Sequence, residues 1–382
     1  SPLSIRRPSD VLVFLLVLTT VLPFHSLYGL TDSSRTAVWS MTVGVLIVVL
    51  LRRLRTPTLP TPRIPVAASA LGLLGLLGVT AAAMVGRGGM SSFNLDVLDV
   101  YEFRDESNER FAGWVAYLVL WSTKVVNPAL TILAVARRRW LLVLLFVGVQ
   151  ILLFGMASHR AILAYPIIAG SLYWLSSKRW GLALVAGGFT TLLILAMAAF
   201  EWGGNSIFAS LLVRRAFFVP GYLNFAYYDF FSAREFVHLS NSVLAGWIPY
   251  PYPAPPQAMV GAVAFPAAPD SWANAGFLAS GYMQFGVPGV LLYSATTGLL
   301  LKIADGMIGR LASPRIGLAV VSIPFLILFT TADLPTTLLS HGLLLAMALL
   351  WVLPGASRAN ESGPGGDRVS PVSNNPARTG VL

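Results

Sequence analysis

Apolar runs near the length that crosses a bilayer, about 20 residues, recur along the chain between short polar breaks. They cover positions 10–30, 36–51, 65–85, 111–136, 141–156, 161–176, 181–200, 275–301, 316–331 and 335–353. The pattern predicts an all-α polytopic integral membrane protein of about ten transmembrane helices, forming a single domain over 1–353. The first run follows Arg6-Arg7 in the manner of a signal peptide, but so many runs follow it that it reads as an anchor. Two stretches break the rhythm, an acid-rich loop at 86–110 and a much longer loop at 201–274, between helices seven and eight. Beyond 354 the chain turns to Gly, Ser, Pro and Asn, the composition of a disordered tail.

Composition agrees with this class. The chain has 382 residues, 56% hydrophobic and 11% charged, where soluble proteins carry about 25% charged residues. A formal charge of +10 suggests nucleic acid until the charges are sorted by side. With ten spans, 17 basic residues and four acids fall on the side of the termini, and eight basic residues and 12 acids on the other; Lys124 alone lies inside a span. By the positive-inside rule both termini are cytoplasmic, and 86–110 and 201–274 face outward from a cytoplasmic membrane. The charge is thus a topology signal, and no nucleic-acid partner is implied. The chain has no cysteine, which removes disulfides and thiol chemistry.

The 201–274 stretch carries the candidate chemistry. It holds five of the 12 tyrosines, at Tyr222, Tyr227, Tyr228, Tyr250 and Tyr252, and the tract Pro249–Pro256, which cannot lie inside a helix. Arg214 and Arg215, flanked by apolar residues, and Arg160, just after a span, lie on the side where positive charge is selected against. Either they anchor helices at headgroup level, or their planar forks bind a pyrophosphate ester. Tyr222, Tyr227 and Tyr228 either pack a core or offer faces to sugar rings. Asp229 and Asp270 lead the candidates for a carboxylate that takes a proton from an attacking hydroxyl, with Glu201 and His238 behind them. Lys124 precedes Asn127-Pro128, a kink site, and an intramembrane lysine either binds an anion or pairs structurally. His25, His341 and Asp333 fall near outer span ends and are candidates to line the rim of a cavity. The acids of 86–110, including Asp105-Glu106, read as a solvated charge run, and no metal site is predicted.

Several of these features resemble the O-antigen polymerase family, whose general plan is shared by O-antigen ligases. They are Ser158-His159-Arg160 at the outer end of a mid-chain helix, the arginines of the long loop, and the run from Asp270 through Asn274 to Gly289. In the last, Tyr282–Gly289 has the form Tyr-x-x-Phe-Gly-x-x-Gly. The resemblance covers roughly 110–300. It implies a metal-independent, cofactor-free membrane glycosyltransferase of GT-C-like, all-helical architecture, which polymerises polyprenyl-pyrophosphate-linked oligosaccharides into a surface polysaccharide. Donor and acceptor are lipid-linked oligosaccharides, and a chain-length regulator protein is an implied partner. Arg160, Arg214 and Arg215 match positions used against pyrophosphate, and His159, Lys124, His238 and Asn274 join them as candidate substrate contacts. The family has no fixed acidic motif, so no base carries over. A ligase and a non-enzymatic flippase of lipid-linked sugars are the alternatives.

Overall fold

In the computed structural model the described residues are 7–54, 64, 66–96, 101–204 and 206–353, with the side chains of 66 and 101–105 excepted. The tail beyond 353, Arg6 and the acid Asp99 lie outside them. The described chain is helical, with seven helices long and apolar enough to cross a membrane and four shorter apolar ones, so the protein is a polytopic membrane protein. The helices are α1 (Pro8–Leu30), α2 (Arg35–Leu51), α3 (Val66–Gly86), α4 (Tyr101–Arg110), α5 (Trp114–Ala136), α6 (Trp140–Ala157) and α7 (Ala161–Leu175). Then come α8 (Gly181–Gly203), α9 (Ser206–Ser232), α10 (Pro256–Ala264), α11 (Phe277–Gly309), α12 (Pro314–Thr330), α13 (Leu334–Leu339) and α14 (Leu343–Val352).

One end of the bundle collects basic side chains. There Arg52 pairs with Asp10 at 2.6 Å, Ser9 bonds Asp305 through both its amide and its hydroxyl, and Arg310 donates to the Leu350 carbonyl. Arg137 shares an apolar cavity with Leu311 and Leu353 at this end. The start of α1 and α12 and the ends of α2, α5, α11 and α14 therefore lie together, and we call the opposite end the distal face. A core of α1, α2, α9, α11, α12 and α14 side chains adjoins a smaller cluster built from α3, α5, α6 and α7.

Three sequence expectations need correction. The 201–274 stretch is not loop throughout, because α9 is an apolar helical run of 27 residues. Its polar and aromatic residues hid a helix whose turns from Ala209 to Phe218 are wound as π-helix. The predicted eighth span is not one rod either. At Phe285 and Gly286 the backbone leaves the helix, with Gly286 at φ +63°, a conformation glycine tolerates. Gly281 and Gly289 would stand about 12 Å apart in a continuous helix, yet a Cβ on Gly289 would lie 2.0 Å from the Gly281 carbonyl oxygen. The chain thus doubles back, laying Phe277–Gln284 along the start of the long helix 287–309. Finally, the predicted tenth span is broken. α13 has six residues and α14 ten, a rise of about 15 Å for the longer, half a hydrocarbon core. Gly342 makes the break at φ +77°, packed against Trp121 and Val125 of α5.

The proline tract behaves as its chemistry requires. Residues 249–255 are irregular, and Pro256 enters α10 only in its first turn. Tyr252 folds onto Phe231 and Tyr250 and its hydroxyl donates to the Glu235 carbonyl, so the tract lies over the end of α9.

Candidate functional site

Lys124 is placed by a defect in α5. Pro128 lacks an amide proton, and the turn before it, Ser122–Val126, is wound as π-helix, with the Asn127 amide reaching back to the Ser122 carbonyl. That spacing removes the usual helical partner of the Thr123 carbonyl. Gln150 of α6 supplies another, donating to the Thr123 carbonyl at 3.0 Å and to the Ile162 carbonyl at 2.8 Å while its Oε1 accepts from the Asn127 side-chain Nδ2 at 2.6 Å. Gln150→Leu is therefore expected to lower stability by about 2 kcal/mol, at the roughly 0.6 kcal/mol typical of a hydrogen bond inside a membrane protein. Thermal unfolding in detergent checks this, and an unchanged midpoint would show the defect needs no such support.

The defect turns Lys124, itself buried, into a distal cavity of about 250 Å³ shared with Asn108, Thr123, His159, Tyr165 and His341. Lys124 Nζ lies 2.6 Å from His341 Nδ1. His159 follows Ser158, whose left-handed φ of +53° ends α6, and its Nε2 sits 3.1 Å from Asn108 Oδ1. His341 lies in the break between α13 and α14.

A second distal recess, about 330 Å³, lies between the α1–α2 turn and α9–α10. It is lined by Thr31, Tyr222, Phe225, Asp229, Phe230 and Arg234 among others. The Arg234 guanidinium stacks over Phe230 at 4.1 Å, and the Tyr222 hydroxyl donates to the Ala264 carbonyl. Tyr228 stacks on Tyr282 at 4.6 Å nearby.

Between these recesses runs a buried polar knot. Gln284, on the short arm of the α11 hairpin, accepts from the Leu239 amide at 2.6 Å and donates to Asn241 at 3.0 Å and to Asp333 at 3.4 Å. Asp333 caps α13 by accepting from the Leu334 amide at 2.7 Å. It is buried, and the Tyr293 hydroxyl faces it without reaching hydrogen-bond geometry. Burial pushes its carboxyl up to about 6, against the lowering pull of the Leu334 amide, Tyr293 and Gln284.

Of the residues singled out in the sequence, Lys124 and His159 meet in the first cavity, and Tyr222 and Asp229 in the second. Tyr227 does not offer its ring to a ligand. It is 1% exposed and its hydroxyl donates to the Ala273 carbonyl, so it packs the core. Arg160 stands at the start of α7, and Arg214 and Arg215 are exposed on the π-wound part of α9; none of the three lines either cavity. Asp270, Asn274 and His238 are exposed on the distal connections, with His238 held against Phe285. Sequence reasoning placed His341 and Asp333 near outer span ends as candidates for a cavity rim; His341 does line the first cavity, Asp333 lines neither, and Gln284 was passed over. The available signal was a polar residue inside an apolar run.

Set against family models, curated proteins and solved structures, the chain matches none.

Proposed function

We propose that the protein is a membrane glycosyltransferase that joins polyprenyl-pyrophosphate-linked oligosaccharides into a longer glycan. On this reading the distal face is extracytoplasmic and the membrane is the cytoplasmic one. The observation that carries it is the convergence of Lys124, His159 and His341 in one cavity of a membrane-spanning bundle, a cationic hollow among apolar helices that suits a diphosphate on a prenyl tail. In the reaction the bond from the sugar's anomeric carbon to the pyrophosphate oxygen breaks, and the acceptor hydroxyl bonds to that carbon. The proton of that hydroxyl passes to a base beside the diphosphate, for which His159 is the group in the same cavity, while Asp229 lines the separate aromatic recess. Arg160, Arg214 and Arg215 are kept as candidate contacts to the lipid-linked headgroups, and a chain-length regulator as a candidate partner.

The test is the purified protein with lipid-linked repeat units, scored for a ladder of longer glycans and for released polyprenyl pyrophosphate. Lys124→Gln is expected to slow chain growth about a hundredfold, the scale for losing one charge-stabilising donor. A single addition to a non-polyprenyl acceptor would mark a ligase instead. One observation favours another reading: the α11 hairpin and the α13–α14 break place unwound backbone within the bundle, as discontinuous helices do in transporters. Movement of labelled lipid across vesicles without bond formation would make the protein a flippase and end the transferase reading.

A further inference from the structure

Lys124 Nζ and His341 Nδ1 are 2.6 Å apart, so a single hydrogen lies between them and Nδ1 must be unprotonated or the amine neutral. The pair carries at most one positive charge where two bases stand. The two remaining protons of the ammonium and the His341 Nε2 have no protein partner among the described residues. The titratable groups sharing the cavity are His159 from the α6–α7 turn and Tyr165 from α7, and no Asp or Glu lines it among the described residues. A largely buried pair with spare donors and no carboxylate beside it among the described residues is built to receive an anion.

We propose that Lys124 and His341, with His159 at the side of the cavity, form a binding site for a phosphate or pyrophosphate ester that takes up one proton from solvent as it binds. An oxyanion entering between the two nitrogens replaces one N–H···N bond with two charge-assisted bonds, one from the ammonium and one from a newly protonated imidazole. The charge on the pair rises by one as the anion's charge arrives, so neither state leaves a large net charge buried. In the empty site the shared hydrogen leaves no room for a second proton between the two nitrogens, which makes the proton a consequence of binding. As a statement about anion chemistry the site stands alone; as a site for the diphosphate of a lipid-linked glycan it rests on the transferase reading.

The experiment is calorimetry on the full-length protein in detergent. Inorganic sulfate, whose charge is constant between about pH 6 and pH 8, should bind about tenfold tighter per unit of falling pH, the slope of one linked proton. Inorganic pyrophosphate, titrated in buffers of different ionisation enthalpy, should draw about one proton more into the wild type than into His341→Gln. Binding without extra proton uptake, or no binding of either ion, overturns the proposal, and the sulfate measurement needs no variant to fold. Farnesyl pyrophosphate binding tighter than inorganic pyrophosphate supports a lipid-linked occupant, and equal binding overturns that occupant. Proton-linked sulfate binding in a protein that builds no glycan would sink the transferase reading and leave this site standing; glycan growth without anion-linked proton uptake would do the reverse.

Discussion

Gly289→Ala is expected to abolish a folded, monodisperse protein, although it adds only one methyl group. The new Cβ would lie 2.0 Å from the Gly281 carbonyl oxygen and 3.1 Å from the Cβ of Phe285, and the first of these is backbone that no rotamer change can move aside. Overpacking a core by a methylene or two costs about 1–3 kcal/mol when side chains can shift; here the hairpin itself must open. Opening it draws Gln284 away from Leu239 and Asp333, so the distal connection and the α13 cap fail along with the turn. The matched control is Gly148→Ala on α6, where an added Cβ meets nothing within 4 Å. That change should be neutral or stabilising by up to about 1 kcal/mol through helix propensity. Fluorescence-detected gel filtration and thermal midpoints in detergent compare the two. Equal behaviour of both variants would mean that the chain does not double back at Gly286.

This pair of glycines also shows what the sequence carried and what it hid. The Tyr282–Gly289 pattern was visible as a motif, but its purpose, a reversal with two glycines face to face, depends on a contact between residues eight apart that no helical periodicity announces. The spans α1 to α3 and α5 to α8 were legible because apolar length alone decides them, whereas the short charged helix α4 lay inside the stretch read as an acid-rich loop. α9 was not, because Arg214, Arg215, Asp229 and a row of tyrosines lower its hydropathy, while its apolar side still packs on α1 and α11. The proline tract was read correctly, since a missing amide is a local property. Lys124 stood out as a lone charge in a span, yet its partner His341 lies 217 positions away, and only the break at Gly342 brings the two together. The guanidinium groups expected to bind a pyrophosphate are instead split between the start of α7 and the π-wound part of α9 and line neither cavity, so in the candidate site their place is taken by a lysine and two histidines.

Asp333→Asn is expected to make the protein more stable above neutral pH and to leave it unchanged in acid. The folded protein holds this carboxyl at about 6, raised from 3.8, so the fold favours the neutral form. Its stabilising contribution is complete below the ordinary value and is lost as pH rises through the folded one, which leaves the wild type carrying a disfavoured buried carboxylate at pH 7 and above. Two units correspond to about 3 kcal/mol. Asparagine is neutral at every pH and caps a helix as well as aspartate, so the variant keeps the Leu334 bond while removing the charge. Thermal midpoints should therefore favour Asp333→Asn most at about pH 8, with the gap closing as pH falls to about 4. A gap that does not change with pH would mean that the carboxylate is solvated or paired, and that the polar knot around Gln284 is not as dry as its burial indicates. If the stabilised variant also loses chain growth, the ionised Asp333 is retained for function, since a charge this disfavoured by the fold has no structural reason to persist.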